Sequence, residues 1–182
     1  GVIKEIFVKE GEFVEKDQIL LKLKDATPLS DLEIEKNKIR SLEENIIGVK
    51  LQIESFNTLM ESKSDQIKSI DEELKGIIDL VKEGYAPRVR QLEIERRQSE
   101  VSSKYKEIFS SKETAKQSIL DLKYRLEAAK ERRIKAERKL KGTVIKAAVS
   151  GQVVGITKQS QGAILKAGEK IMDLVPENEQ LF

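Results

Sequence analysis

The sequence predicts an α+β protein in which one long antiparallel α-helical coiled-coil hairpin is inserted between the two halves of a small β-sandwich. Two long stretches repeat apolar residues every seven positions, a turn-forming segment at residues 82–88 separates them, and strand-like segments at the two chain ends match each other. We therefore expect a first β half at 1–24, a hairpin at 25–142, a second β half at 143–177 and an exit toward a further domain at 178–182.

The composition of the 182 residues favours long solvated helices over a compact catalytic domain. Charged residues make up 36% and aromatic residues 4%, and 34 basic residues nearly balance 32 acidic ones. Such a mixed surface has no strong bias toward nucleic acid or an anionic membrane. The chain has neither cysteine nor histidine, which removes disulfides, the common zinc sites and the usual acid–base residue. No nucleophile–base set or phosphate-binding glycine loop is present, so we expect no enzyme, no catalytic residue and no metal.

Strand-like sequence fills the first β half. Apolar and β-branched residues at 2–8 lead into the charged turn Lys9–Glu12. Two apolar residues and a second polar turn then precede the apolar run Ile19–Leu23. Short apolar runs between glycine-containing and charged turns are typical of strands.

The first arm of the hairpin starts at Thr27, a candidate helix N-cap, with Pro28 as the first helical residue. From there one heptad register continues to residue 81, with Glu35 and Lys63 as its polar members. This register predicts the seam of a long coiled coil. The apolar seam positions are Leu32, Ile39, Leu42, Ile46, Val49, Ile53, Phe56, Met60, Ile67, Ile70, Leu74, Ile77 and Val81.

The segment Lys82–Arg88 separates the two arms and is expected to form the tip of the hairpin. Gly84 can adopt the left-handed conformation that ends a helix, and Pro87 suits the first turn of the next helix. Tyr85 lies between them. The arms on either side are of similar length, so the chain would return to its starting level.

The second arm repeats the heptad pattern and ends in basic residues followed by Gly142, which is a helix stop signal. Each arm would span roughly 80 Å. Folding back about the tip pairs seam positions whose numbers sum to about 171, such as Ile46 with Leu126. The seam positions are Ile94, Val101, Tyr105, Ile108, Ala115, Ile119, Leu122, Leu126, Ala129, Ala136 and Leu140, with Gln98, Lys112 and Arg133 as polar members.

Serine-rich stretches occur at the same level of both arms, at residues 55–65 and 102–118. They are consistent with a hairpin that bends or is wetter halfway along. The simpler interpretation, which we prefer, is that they are surface serines on regular helices.

The second β half matches the first. Gly1–Ile6 corresponds to Gly151–Ile156, and the match continues after a one-residue insertion. An internal repeat usually means that two like units bury a shared face, so we expect both chain ends to build one sandwich at the base of the hairpin. The later matched pairs are Gly11 with Gly162, Phe13 with Ile164, Val14 with Leu165, Asp17 with Gly168, Leu20 with Ile171 and Leu23 with Leu174.

Each β half resembles half of a biotinyl/lipoyl carrier domain, and two such halves split by a coiled-coil hairpin resemble the periplasmic adaptor, or membrane fusion, proteins. The segments Ile3–Glu12 and Ile145–Gly151 look like the HlyD branch of that family, which serves type I secretion. Pro176–Leu181 resembles the exit of the lipoyl-like domain. The resemblance covers essentially the whole chain and implies that a β-barrel domain lies beyond these ends.

The resemblance also implies a docking site at the hairpin tip. The family pattern there is Arg, then Leu four residues on, then Ser or Thr seven further on, and Arg88, Leu92 and Ser99 have this spacing. By resemblance they would bind the periplasmic end of a TolC-like outer-membrane channel. Steps of four and seven lie on one helix face, from which arginine can donate forked hydrogen bonds to a partner. The alternative is that Arg88 and Ser99 are solvated and Leu92 caps the seam.

Carrier domains present a modified lysine in a short hairpin between their halves. The corresponding segment here, Leu21–Ala26, leads into a helix instead. Lys22 and Lys24 are most simply strand-edge charges. We therefore expect no biotin or lipoyl attachment and no other cofactor.

The resemblance implies an adaptor that bridges an inner-membrane ABC transporter and the outer-membrane channel for export of proteins or peptides. The transporter would be bound through parts outside this chain, and protomers, six as the family implies, would form a homo-oligomer in the periplasm of a Gram-negative bacterium. No apolar run approaches the ~20 residues of a membrane helix, so an inner-membrane anchor would lie outside the chain. Two alternatives are an adaptor of a multidrug efflux pump and a non-enzymatic coiled-coil scaffold or tether.

Overall fold

The fold is α+β, with three short strands before two long helices and three short strands after them. The computed structural model describes residues 1–157 and 161–176. The predicted exit at 178–182 lies outside the described residues. Within the described residues, neither helix contains a segment apolar enough to cross a membrane.

The strands form two antiparallel three-stranded sheets, and each sheet takes strands from both ends of the chain. The strands are β1 (Ile3–Ile6), β2 (Phe13–Val14), β3 (Ile19–Leu23), β4 (Val144–Lys146), β5 (Gly151–Val154) and β6 (Asp173–Val175). In the first sheet β3 lies between β1 and β4, and in the second β5 lies between β2 and β6. This topology confirms the prediction that the two chain ends build one β base.

The two β halves repeat each other at the level of the backbone. Gly11 and its matched residue Gly162 have φ angles of 82° and 86°. Asp17 and its match Gly168 have φ angles of 68° and 79°. Left-handed backbone is uncommon outside glycine, so its recurrence at two matched positions supports the repeat inferred from the sequence.

The core of the β base lies between the two sheets. Val14 and Val153 of the second sheet pack in one cluster with Leu20 of the first. A neighbouring cluster joins Ile3 to Leu165. Each cluster contains residues from both chain ends, so neither β half has a core of its own.

The heptad seam predicted for both arms is confirmed in helices α1 (Ala26–Lys82) and α2 (Arg88–Lys141). Every predicted seam position, polar members included, is buried or half-buried. Ile47, an apolar residue off the seam, is 58% exposed. Ile46 and Leu126, predicted to face each other, line the same groove. Both helices continue without a break through the serine-rich stretches.

The chain divides into two compact units. One combines Gly1–Ile39 with Ala128–Phe182 and contains the β base, and the other is Arg40–Glu127. In the first unit, Lys139 Nζ of α2 lies 3.3 Å from Asp31 Oδ2 of α1. This cross-helix ion pair agrees with the predicted pairing of the arms.

The start of α1 differs from the prediction that Thr27 caps it. The helix begins at Ala26, and the carbonyl of Asp25 accepts the N–H of Leu29 at 2.8 Å. Asp25 therefore occupies the N-cap position. Pro28 is accommodated inside the first turn because the first N–H groups of a helix have no intrahelical partner.

Alanine at Gly48 or Gly76 should stabilise the chain. Both glycines lie inside α1, and an added Cβ would meet no atom within 4 Å. Alanine is favoured over glycine in a helix interior by up to about 1 kcal/mol. We expect the free energy of unfolding, measured by urea titration, to rise for each variant. A decrease would mean that these positions need glycine for a reason other than helix packing within one chain.

Candidate docking site at the hairpin tip

A short turn at residues 83–87 joins the two helices. The N–H of Gly84 donates to the carbonyl of Val81 at 3.1 Å, and the N–H of Tyr85 donates to the carbonyl of Leu80 at 2.8 Å. This pair of bonds defines a Schellman motif, in which glycine adopts the left-handed conformation. Gly84 has a φ of 81°, the conformation predicted for it.

Pro87 lies immediately before α2. Its carbonyl accepts the N–H of Arg90 at 3.0 Å, which closes the first turn of the helix. The fixed φ of proline suits a chain that is entering a helix. The turn thus orients the first residues of α2 through backbone bonds.

The predicted docking residues Arg88, Leu92 and Ser99 all lie on α2, and all three are exposed. Their spacing places them along one helix face. Leu92 is 51% exposed, which favours the docking interpretation over a cap on the seam, whereas the exposure of Arg88 and Ser99 fits both interpretations. Within the described parts of the chain, the Arg88 side chain forms no hydrogen bond or ion pair.

The other arginines in the first three turns of α2 differ from Arg88, because each is paired with a carboxylate. The partners are Glu73 and Glu93 for Arg90, Glu100 for Arg96, and Glu73 for Arg97. Arg88 is therefore the arginine in this segment that remains available to an external acceptor.

Sequence reasoning missed Val89, which increases the apolar surface of the tip. Val89 is 65% exposed and lies three residues before Leu92, which makes the two neighbours on the helix surface. Tyr85 in the turn is 80% exposed. Val89 belongs neither to the seam nor to the family pattern, so neither pattern pointed to it. The sequence did carry one signal for it, because Val89 is an apolar residue off the seam and close to a turn.

The exposed face contrasts with the seam side of the same helix. Ile94, two residues after Leu92, is only 1% exposed.

No group of three acidic side chains that could hold a metal ion occurs in residues 1–157 or 161–176. The tip combines an unpaired guanidinium with exposed apolar side chains, which suits binding to a protein surface.

The two lysines considered for cofactor attachment lie at the base. Lys22 is part of strand β3, and its Nζ lies 5.2 Å from the ring centroid of Phe7. Lys24 follows that strand, and its backbone N–H donates to the carbonyl of Val2 at 2.8 Å. Both residues therefore occupy a strand and its continuation toward α1.

Comparison with known proteins gives a family match over most of the chain. Residues 30–153 match the family model described as AprE, long alpha-helical hairpin. The alkaline protease secretion protein AprE of Pseudomonas aeruginosa is 28% identical over 138 residues, which cover 64% of this chain and 32% of AprE. The proteases secretion protein PrtE of Dickeya chrysanthemi is 25% identical over 147 residues, covering 68% of this chain and 33% of PrtE. The chain thus spans about a third of either relative.

Solved structures share the fold. The periplasmic adaptor protein EmrA matches with a TM-score of 0.58 and 21% identity, over 96% of this chain and 68% of that one. The soluble domain of LipC, a membrane fusion protein of a type I secretion system, matches with a TM-score of 0.51 and 20% identity, over 97% and 96% of the two chains. At these identities the likeness concerns the fold alone.

Proposed function

Because this chain belongs to the AprE family, which is defined by a long α-helical hairpin, we propose that it is the hairpin-bearing part of a periplasmic adaptor for type I protein secretion. AprE and PrtE are both named for the secretion of proteases, which favours a protein cargo over the small molecules of a multidrug efflux pump. The β base built from both chain ends favours an adaptor over a simple coiled-coil tether, which would have no need of it.

In this proposal the protein bridges an inner-membrane ABC transporter and a TolC-like outer-membrane channel in the periplasm of a Gram-negative bacterium. The role is mechanical and needs no catalytic residue. The base holds the two arms together where they begin and end, and the hairpin carries the tip to the channel. Transporter binding and membrane anchoring would belong to segments outside this chain.

The observation that carries the proposal is the unpaired, exposed Arg88 beside the exposed apolar residues Val89 and Leu92. The guanidinium can donate two parallel hydrogen bonds to a carboxylate or to carbonyl groups of the channel. Leu92 would fill a groove between channel helices, and fully burying a leucine contributes roughly 1.5–3 kcal/mol. Ser99, farther along α2, is small enough to allow close approach.

A ring of identical protomers, six in number, is part of the same proposal. Several apolar side chains of the Arg40–Glu127 unit are exposed away from the seam, and they offer surface for neighbouring copies. They are Ile47 at 58%, Leu51 at 60%, Leu120 at 49% and Tyr124 at 77% exposure. A groove of about 610 Å³ adjoins Ile47 and is flanked by charged residues of both signs. Such mixed edges suit lateral contacts between like surfaces.

Gene deletion with complementation tests the proposed function. In cells that lack the gene, the protein exported by the system should accumulate inside the cell. When the gene is restored, the exported protein should appear in the medium again. Drug susceptibility is measured on the same strains. Unchanged secretion together with increased drug susceptibility would contradict protein export and support the efflux alternative, and no change in either would return the scaffold alternative to consideration.

A further inference from the structure

A charged cluster joins α1 to α2 just behind the tip. Glu73 of α1 accepts from two arginines of α2, with Arg90 Nη2 at 3.4 Å from its Oε1 and Arg97 Nη2 on its Oε2. Arg90 also reaches Glu93 Oε2 of its own helix at 3.4 Å. One carboxylate thus holds two positions of α2 that are seven residues apart.

A second polar contact joins α1 to α2 at the same height along the hairpin. Gln98, a seam position of α2, donates from Nε2 to Oδ1 of Asp71. Asp71 and Glu73 are two residues apart on α1, so their side chains diverge by about 200° around the helix. The seam residues Ile70, 7% exposed, and Ile94, 1% exposed, are buried at this level. Polar contacts therefore flank a well-buried seam on both sides.

The arginines of the cluster alternate along α2 with the proposed docking residues. Arg90 lies two residues after Arg88, inside the first turn of α2, and Arg97 lies beyond Leu92. The first four N–H groups of a helix have no intrahelical partner, so the first turn of α2 is prone to fray. The bond from Arg90 to Glu73 ties this turn to α1, while Arg88 stays unpaired within the described residues, among the arginines in the first three turns of α2.

We propose that Glu73 is a positioning residue for the tip: by holding Arg90 and Arg97 it keeps the first turns of α2 helical and in register, so that Arg88 and Leu92 are presented together. This inference rests on the proposed docking function. Exposed ion pairs contribute little to global stability, whereas a polar contact across a coiled coil specifies register effectively. The effect of Glu73 should therefore be local.

Hydrogen exchange on the full chain tests the positioning directly, with Glu73→Gln compared with Glu100→Gln. Glu100 is the matched control because its carboxylate, 4.0 Å from Arg96, pairs within α2 and does not cross to α1. In Glu73→Gln, amides of residues 90–94 should exchange roughly threefold to tenfold faster. The Tm should change by no more than about 2 °C. Unchanged exchange at 90–94, or an equal change in Glu100→Gln, would overturn the inference.

In-cell crosslinking from a photoreactive residue at position 92 separates this inference from the docking proposal. We expect Glu73→Gln to reduce the adduct with the outer-membrane channel about threefold or more, and Glu100→Gln to leave it unchanged. If the adduct is strongly reduced in Arg88→Asp but unchanged in Glu73→Gln, the positioning role of Glu73 is overturned and the docking proposal stands. An adduct that persists in both Arg88→Asp and Glu73→Gln would overturn the roles of both residues, and the absence of any channel adduct from position 92 in the otherwise unaltered chain would overturn the docking proposal itself.

Discussion

Replacing Arg88 with aspartate should reduce export at least about tenfold without destabilising the chain. Arg88 is exposed and forms no ion pair or hydrogen bond through its side chain with the described residues, so the substitution removes no stabilising contact within the protein. Reversal of the charge would repel the acceptors that we propose on the channel, and a loss of 1.4 kcal/mol in docking already corresponds to about tenfold. Secretion into the medium is the measurement, and thermal unfolding verifies the fold.

Arg96→Asp is the matched control for this prediction. Arg96 lies on the same helix, its side chain is 78% exposed, and it pairs only weakly with Glu100 at 4.0 Å. The same change of charge is therefore made about two turns farther along α2 than Arg88, one turn beyond Leu92. Equal losses of export in both variants would indicate a general charge effect, and normal export in Arg88→Asp would contradict the docking role of Arg88.

Gly151→Ala should destabilise the β base by about 3 kcal/mol. A Cβ at this position would lie 2.4 Å from the carbonyl oxygen of Val175 and 2.8 Å from its carbonyl carbon. These are backbone atoms of β6, so the strand would have to shift and the β5–β6 pairing would be disturbed. Hydrogen exchange at Val153, whose N–H donates to the carbonyl of Glu12 at 2.8 Å, is the most direct measurement.

The matched control is Gly1→Ala, at the equivalent position of the repeat. Here the added Cβ would lie 2.8 Å from Cδ1 of Leu23, a side-chain atom that can move to another rotamer. We expect the free energy of unfolding to fall by less than about 1 kcal/mol in Gly1→Ala. Equal destabilisation by the two substitutions would show that close backbone approach at Gly151 is not the reason for the glycine.

The seam and the base were predictable from sequence for different physical reasons. When apolar residues recur every seven positions over dozens of residues, only one face of the helix can be the buried one. Even the polar residues on that face, Lys63 and Arg133, are therefore half-buried as predicted. The β base followed from the repeat, because two matched halves must bury a shared face. Both signals extend over many residues, and no single residue decides them.

Local features that depend on one residue were harder to predict. Thr27 and Asp25 are both good N-cap residues, and only the backbone bond to Leu29 decides for Asp25. The role of Glu73 required the register and the side-chain conformations of Arg90 and Arg97, which a heptad pattern does not specify. The contribution of Val89 to the tip surface was not predictable, because exposed apolar residues off a seam are common.

The central claim is that the hairpin tip docks onto an outer-membrane channel through the face that carries Arg88 and Leu92. Photocrosslinking in living cells tests it most directly, with the reactive residue at position 92 and, as a control, at the exposed position 62 in the middle of α1. We expect an adduct with the outer-membrane channel from position 92 that is lost in Arg88→Asp, and none from position 62. Normal export without any channel adduct from position 92 would contradict the account.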